Sequence, residues 1–303
     1  MWQAYEMPDS VEKALEILDR YEGKAQLIAG GTDLVIELQE GKHVVDCLVD
    51  VTRIPGLDTI EERDGWILLG PNVTFRQIKE SPLLADRARA LAEAAGTVGA
   101  LQIQTVATLA GNGVSALPAA DGSVALVAFD AEVQVTGRDG SAWRPVGELF
   151  LGPGLSAVDP RRQMITAIRL PLDRERGGSA WERIGRRRTL VLPILNCAAT
   201  VRLGDGDQIA QARVALGPVA PVPFRALQAE AFLAGQPATD ETFARAGEIT
   251  AGESQPRTSL LRASREYRLE VIPVLVRKAL ARAAAQARAR NIQYPIEHRI
   301  GTQ

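Results

Sequence analysis

The chain has 303 residues, enough for about two domains; 46% of them are hydrophobic and 24% are charged. This composition supports packed cores and excludes a mainly disordered chain. The formal net charge of −2 gives no general argument for nucleic acid or an anionic membrane as a partner. No apolar run has the length of a membrane span, and no charged start with an apolar signal core opens the chain, so we expect a cytoplasmic protein.

Cysteine and histidine are scarce, which limits the chemistry that side chains can perform. Cys47 and Cys197 lie far apart in apolar runs and are most simply buried thiols. One chain with two cysteines cannot by itself hold a Cys-ligated metal or an iron–sulfur cluster. His43 and His298 are too few for a multi-histidine metal site and leave little for a Ser-His-Asp triad. We therefore predict no catalytic side chain and no metal site, and any redox chemistry would need a bound cofactor.

The first half of the chain predicts two small α/β units. The first unit contains a helix over 10–19 with Ser10 as its cap, a strand over 25–29, a helix over 34–39 and a β-rich run over 43–51. We expect its strands to be parallel and joined by right-handed crossovers. The second unit contains a strand over 66–69, helices over 75–79 and 84–95, an apolar segment over 124–129 and hairpin-like β segments from 132 to 170.

The last third predicts a different arrangement, in which strands are followed by helices. A polar, glycine-containing stretch over 171–178 is the preferred domain boundary. The elements after it are strands over 180–184, 194–203 and 212–216 and helices over 226–233, 240–251 and 264–290. Pro273 should kink or interrupt the last helix.

Two stretches of small residues carry the main functional hypothesis. They are Ile28-Ala-Gly-Gly-Thr-Asp33 and Thr105-Val-Ala-Thr-Leu-Ala-Gly-Asn112, each between an apolar run and a helical pattern. Glycine turns of this kind can present successive free N–H groups to an anion, helped by the next helix. Two such loops, each with a threonine hydroxyl, suggest a ligand with two phosphates. Neither is a Walker loop or a Gly-x-Gly-x-x-Gly fingerprint, and Ala-Gly-Gly-Thr alone is equally compatible with a tight structural turn.

The order and spacing of further segments identify a family. After the two loops come Pro118-Ala-Ala-Asp121, Gly152-Pro-Gly154, Gly185-Arg-Arg-Arg188, Ala215-Leu-Gly-Pro-Val-Ala-Pro221 and Arg262-Ala-Ser-Arg-Glu-Tyr-Arg268. Together they resemble the FAD-binding medium subunit of the molybdenum hydroxylases, the group of xanthine dehydrogenase, aerobic carbon monoxide dehydrogenase and 4-hydroxybenzoyl-CoA reductase. The resemblance extends to about residue 285, and the chain lacks the cysteine-rich insertion of the last branch.

The resemblance implies an α+β fold of the p-cresol methylhydroxylase (PCMH) type. Two α/β subdomains, over 1–55 and 56–174, would bind FAD between them. A C-terminal domain over 175–290, like that of the carbon monoxide dehydrogenase flavoprotein, would contain a three-stranded antiparallel sheet and a helical bundle. Residues 291–303 would form a tail.

The resemblance also implies which residues contact FAD. In the first loop these are Leu27, Ile28, Ala29, Gly30, Gly31, Thr32 and Asp33. Elsewhere they are Thr108, Gly111, Asn112, Ser115, Asp121, Ile165 and Arg188. Ser115 and Asp121 would face ribityl or ribose hydroxyls, and Ile165 would lie near a ring. Asp121 could instead, or in addition, cap a helix, and the triple arginine could instead be a solvated turn.

Three departures from the family pattern affect the expected site. Gln104 stands where many members have arginine, and Ala110 replaces the first of two paired glycines, which requires a backbone that alanine can adopt. Residues 189–194 lack the lysine that some members place near the flavin pyrimidine. Without a cation there, the flavin potential would be lower than in lysine-bearing relatives, unless Arg187 or Arg188 reaches the ring.

By this resemblance the chain would be the FAD-binding electron-transfer subunit of a heteromeric molybdenum hydroxylase. A large subunit would hold the molybdopterin–molybdenum centre and a small subunit two [2Fe–2S] clusters, in a dimer of heterotrimers. FAD would pass electrons to NAD+, a quinone, oxygen or another acceptor. Two alternatives stay open, a stand-alone FAD oxidoreductase and a scaffold subunit that has lost its flavin.

Overall fold

The computed structural model describes residues 2–172, 177–187 and 189–293. The predicted contact Arg188 and most of the predicted tail lie outside these residues. The described part of the chain forms an α+β fold with three main sheets, as predicted. None of its described helices is both long enough and apolar enough to cross a membrane.

The N-terminal unit is a small parallel sheet with two helices. Its elements are β1 (Ala4–Glu6), α1 (Val11–Arg20), β2 (Ala25–Ile28), α2 (Leu34–Gln39) and β3 (Cys47–Asp50). The strand order is β1-β3-β2 and both pairings are parallel, as predicted. The Ser10 side chain accepts the Lys13 N–H at 3.2 Å and caps α1, which confirms the predicted helix start. The buried face of α1 packs on Cys47 and Val49 of the central strand.

The second unit surrounds a five-stranded antiparallel sheet. Its strands are β4 (Ile60–Arg63), β5 (Trp66–Leu69), β6 (Glu132–Gly137), β7 (Gly140–Pro145), β8 (Phe150–Gly152), β9 (Leu155–Ser156) and β10 (Met164–Pro171). The sheet order is β4-β5-β10-β6-β7, and β8 and β9 pair separately. Its helices are α3 (Phe75–Glu80), α4 (Pro82–Arg87), α5 (Arg89–Ala95), α6 (Leu101–Gln104), α7 (Leu109–Val114) and α8 (Asp121–Ala128).

Two helical segments of this unit show how contacts with distant residues affect the structure of a segment or its sequence. The single helix predicted over 84–95 is wrong, because the backbone leaves helical geometry at Ala88 (φ −135°, ψ 51°). Next to this break, the Ala90 N–H donates to the Ser179 hydroxyl at 3.1 Å, a partner that is distant in sequence. Helix α8 is buried along its whole length, which explains why its sequence is mostly apolar.

The C-terminal unit contains an antiparallel sheet covered by helices. Its elements are β11 (Gly177–Ile184), β12 (Leu195–Leu203), β13 (Ile209–Gly217), β14 (Phe224–Arg225), α9 (Leu227–Leu233), α10 (Asp240–Glu253) and α11 (Arg265–Gln293). The three predicted strands are present, and a two-residue fourth strand too short for any pattern extends the sheet. Helix α11 continues through Pro273 without interruption. There it packs closely on α10, since a Cβ added to Gly247 would lie 2.7 Å from the Pro273 Cα.

Candidate functional site

The two glycine loops lie against each other although they are distant in sequence. A Cβ added to Gly30 would lie 2.1 Å from the carbonyl oxygen of Val106, so the close approach of the loops leaves no room for a side chain. The Ser115 hydroxyl lies 3.1 Å from Oδ2 of Asp33 and 3.0 Å from the Gly111 carbonyl oxygen. The structure therefore brings both predicted loops into one site.

The first loop presents backbone donors that have no acceptor in the protein. It connects the end of β2 to the start of α2, and Gly31 has a φ of +66°, which favours glycine. Within the described residues, no hydrogen-bond acceptor meets the backbone N–H groups of residues 30–33. Residues 30–32 are partly exposed and Asp33 is exposed. Such a row of N–H groups ahead of a helix suits a negatively charged group.

The residues before this loop support it from behind. The Leu27 N–H donates to the Pro160 carbonyl at 3.0 Å, and the Ile28 carbonyl accepts the Val51 N–H at 3.1 Å. Ile28 is buried, whereas Ala29 is partly exposed at the start of the turn. Residues 27 and 28 thus fix the loop through the sheet that precedes it.

The second loop is built around a helix start. The Thr108 hydroxyl accepts the Gly111 N–H at 3.1 Å and caps α7. Ala110 lies inside α7 with ordinary helical backbone, so its methyl group is tolerated where relatives have glycine. Oδ1 of Asn112 accepts the Ser123 N–H at 3.1 Å. Its Nδ2 has no acceptor among the described residues and is free to donate to a ligand.

Asp121 occupies a buried position behind the second loop. Its side chain is 6% exposed, and Asn196 Nδ2 donates to Oδ1 at 2.6 Å. The guanidinium of Arg183 lies 3.3 Å from Oδ2. Burial raises the pKa of Asp121, and the charge of Arg183 opposes this rise. The carboxylate is thus committed to protein partners and joins α8 to the C-terminal sheet.

The alternative role of Asp121 as a helix cap is wrong. The N-cap of α8 is Ala120, which makes no side-chain cap bond, and Asp121 is the first residue of the helix. A carboxylate in the first turn still interacts favourably with the helix dipole.

The remaining predicted contacts are Ile165 and Arg188. Ile165 is a residue of β10, where it lies opposite Val135, and its side chain is 4% exposed and packs in the hydrophobic core. Arg188 lies outside the described residues. The neighbouring Arg187 donates from Nε to the Thr189 and Leu190 carbonyls at 3.1 Å each, so this cation is used within its own turn.

Gln104 has a structural role that the family pattern did not indicate. It is buried, and its Nε2 donates to the Gly96 carbonyl at 3.2 Å and to the Val98 carbonyl at 2.9 Å. The residue that replaces the arginine of many relatives therefore holds the turn that precedes α6.

Sequence reasoning missed Arg183 and Asn196, two of the residues that hold Asp121. Both lie in strands of the C-terminal sheet, more than sixty positions from Asp121 in the chain. A usable indication was present at Asn196, a lone amide inside the apolar run of β12. A polar side chain in such a strand requires a buried partner.

Comparison with known proteins identifies the family of both halves of the chain. Residues 2–173 match the family described as the FAD binding domain in molybdopterin dehydrogenase, and residues 182–283 match the CO dehydrogenase flavoprotein C-terminal domain. The chain is 30% identical over 268 residues to the xanthine dehydrogenase FAD-binding subunit of Escherichia coli O157:H7, covering 87% of this chain and 90% of that one.

Carbon monoxide dehydrogenase of Hydrogenophaga pseudoflava is similar in both sequence and structure. Its medium chain is 27% identical over 282 residues, which cover 93% of this chain and 97% of that one. A solved structure of this enzyme, which lacks the Mo-pyranopterin moiety of the molybdenum cofactor, superposes with a TM-score of 0.88 at 27% identity. The superposition covers 94% of this chain and 98% of that chain. The present chain belongs to the FAD-binding medium subunits of the molybdenum hydroxylase family.

Proposed function

We propose that the two glycine loops hold the pyrophosphate of FAD and that the chain is the electron-transfer subunit of a heteromeric molybdenum hydroxylase. The observation that supports this most is the row of free N–H groups in residues 30–33 beside the free Nδ2 of Asn112. FAD, when bound, would supply the capacity to take electrons from [2Fe–2S] clusters of a partner and deliver them to an external acceptor.

The hydrogen-bond donors of the two loops suit a diphosphate, although none of them is a cationic side chain. Neither loop, over 27–33 or 105–112, contains lysine or arginine. Backbone N–H dipoles, the Thr32 hydroxyl and the Asn112 amide would therefore hold the negative charge. Asp33 carries a negative charge itself and suits a sugar hydroxyl better than a phosphate. The contact between Asp33 and Ser115 would fix the spacing of the two loops.

Asp121 would act on this site through the protein rather than through FAD. It lies in the same helix as Ser123, whose N–H fixes the side chain of Asn112. Asn196 and Arg183 fix Asp121 in turn. We assign Asp121 to positioning the second loop, which differs from the direct contact with ribityl or ribose hydroxyls expected from the family.

The partners follow from the family. Relatives include the carbon monoxide dehydrogenase medium chain and a subunit of the 6-hydroxypseudooxynicotine dehydrogenase complex, and these names imply other chains in each enzyme. We propose a large molybdopterin subunit and a small [2Fe–2S] subunit as partners, in a dimer of heterotrimers. The cytoplasmic compartment stays a prediction, as do the domain limits 1–55, 56–174, 175–290 and 291–303.

The Asn112→Asp variant tests the FAD site. Aspartate keeps the oxygen that accepts the Ser123 N–H, but it replaces the free donor by a negative charge. We expect FAD affinity to fall about tenfold or more. Fluorescence titration of the apoprotein with FAD measures the change. Gln255→Glu, which adds one negative charge at an exposed position of the C-terminal unit, is the matched control and should bind FAD normally.

The outcomes separate the alternatives. If Asn112→Asp and the unchanged protein bind FAD with equal affinity, Asn112 does not contact FAD. A folded protein that does not bind even excess FAD would favour the scaffold alternative. Molybdenum and iron in the native preparation would support the proposed complex, and a flavoprotein isolated without either metal would favour a stand-alone oxidoreductase.

A further inference from the structure

A second candidate site lies in the C-terminal unit, apart from the glycine loops. Helix α8 covers part of one sheet face, where it packs on Ala198 and Ala215. Beyond Phe129, at the end of this helix, the same face lines a cavity of about 210 Å³. Because side chains two residues apart in a strand share a face, Thr200 and Arg202 continue the row of Ala198 into the cavity.

The cavity is lined by an excess of positive charge. Four arginines contribute to it, namely Arg87, Arg202, Arg213 and Arg290. Asp86 lies 2.9 Å from Arg87 and 3.0 Å from Arg290 and is shared between them. Asp130 is shared between Arg213 and Arg225. Arg202 has no ion-pair partner in the part of the chain that the structure describes.

Two carboxylates therefore face four lining arginines, although the whole chain has a net charge of −2. Within the described residues, the lining of the cavity therefore has an excess of two positive charges.

Part of this charge is withdrawn from water. Arg290 is 8% exposed and its Nη1 donates to the Gly177 carbonyl at 2.9 Å. Burial lowers the pKa of Arg290, the charge of Asp86 opposes this, and the charges of Arg87 and Arg89 lower the pKa further. Ser179, also in the lining, is 3% exposed. Positive charge held in such a place is stabilised by an anion.

We propose that this cavity binds a small phosphate dianion, either inorganic phosphate or a phosphomonoester. Arg202 lies opposite Gln211 on the neighbouring strand, and Thr200 lies opposite Arg213. This places two guanidinium groups and an amide on adjacent strands of one sheet face. Guanidinium groups match phosphate oxygens with paired hydrogen bonds. None of these residues belongs to the proposed FAD site, so the two proposals are independent.

Isothermal titration calorimetry of the full-length chain with inorganic phosphate at constant ionic strength tests the proposal. We expect saturable binding that Arg202→Ala weakens about tenfold or more. Arg144→Ala is the control, because Arg144 is also a solvent-exposed strand arginine but lies in β7 of another sheet. Gln211→Glu, which introduces a negative charge into the lining, should abolish binding without removing an arginine.

The same titration with glycerol phosphate distinguishes the two sources of the anion. If glycerol phosphate binds more tightly than inorganic phosphate, the natural ligand is a phosphomonoester. If it binds more weakly, the ligand is the free phosphate ion. Circular dichroism checks that each variant is folded, and unchanged FAD binding shows that the first site is intact. Absence of saturable phosphate binding would overturn the proposal, as would equal affinity in Gln211→Glu and the unchanged protein. Equal weakening by Arg144→Ala and Arg202→Ala would reveal non-specific charge attraction and also overturn it.

Discussion

The two glycine loops have similar composition but use glycine in different ways. In the first loop, Gly30 meets the backbone of the second loop and Gly31 adopts a positive φ. In the second loop, Gly111 lies within α7, and a Cβ there would meet only the Thr108 hydroxyl at 3.0 Å. The backbone conformation of the first loop therefore requires glycine, whereas that of the second loop is set by the capped start of α7.

This difference explains why the second loop tolerates a departure from the family pattern. Ala110 lies in helical backbone, where alanine is favoured over glycine. A similar change in the first loop would meet either a carbonyl oxygen at Gly30 or a strained φ at Gly31. The first loop supplies backbone donors, and the second supplies the side chain of Asn112.

The largest effect is expected for Gly30→Val. A Cβ at this position would lie 2.1 Å from the Val106 carbonyl oxygen, so the loops must move apart. We expect FAD affinity to fall about a hundredfold or more, since both halves of the site are displaced. Flavin content after purification measures this. Gly147→Val is the control, because a Cβ there would meet no atom within 4 Å. Stoichiometric FAD in Gly30→Val would contradict the shared site.

The second largest effect concerns the support of the second loop. Arg183→Met leaves the buried carboxylate of Asp121 without its cation. We expect a loss of about 3 kcal/mol in the free energy of unfolding at neutral pH. Urea denaturation measures it. The double variant Arg183→Met with Asp121→Asn should recover most of the loss, because no buried charge is left.

This loss should depend on pH with a defined sign. Burial holds the pKa of Asp121 above its ordinary value of 3.8, and removal of Arg183 removes the main opposing cause. A carboxyl group with a raised pKa in the folded state stabilises the fold most below the unfolded pKa and loses that contribution as the pH rises. The penalty of Arg183→Met should therefore shrink as the pH falls toward about 4. A penalty that does not change with pH would exclude this explanation.

The sequence predicted features that depend on neighbours along the chain. Ser10 caps its helix as expected, and the strand before the first loop ends where the glycines begin. The features that it missed depend on distant partners. The break at Ala88 lies beside a hydrogen bond to Ser179, and Asp121 contacts two residues that lie more than sixty positions away. The sequence can indicate that a side chain such as Asn196 needs a buried partner, but it does not identify that partner.

A smaller effect is expected for Gly31→Ala. Alanine can adopt a φ of +66°, but at a cost of about 1–2 kcal/mol. The added Cβ would lie 3.1 Å from the side chains of Ile28 and Val35, which can shift slightly. We expect stability to fall by about this amount and FAD affinity to fall less than in Gly30→Val. Thermal unfolding and FAD titration give both values, and a stability equal to that of the unchanged protein would refute the strained turn.

The smallest effect is expected for Ala110→Gly, which restores the paired glycines of the family. Residue 110 is helical, so the only effect of glycine there is a higher conformational entropy of the unfolded chain. We expect this to lower the free energy of unfolding by about 0.5–1 kcal/mol. FAD affinity should be unchanged, since the Thr108 cap and the Asn112 amide are retained. A clear gain in FAD affinity would mean that the methyl group of Ala110 obstructs the ligand, and that the second loop, like the first, needs its glycines for close approach.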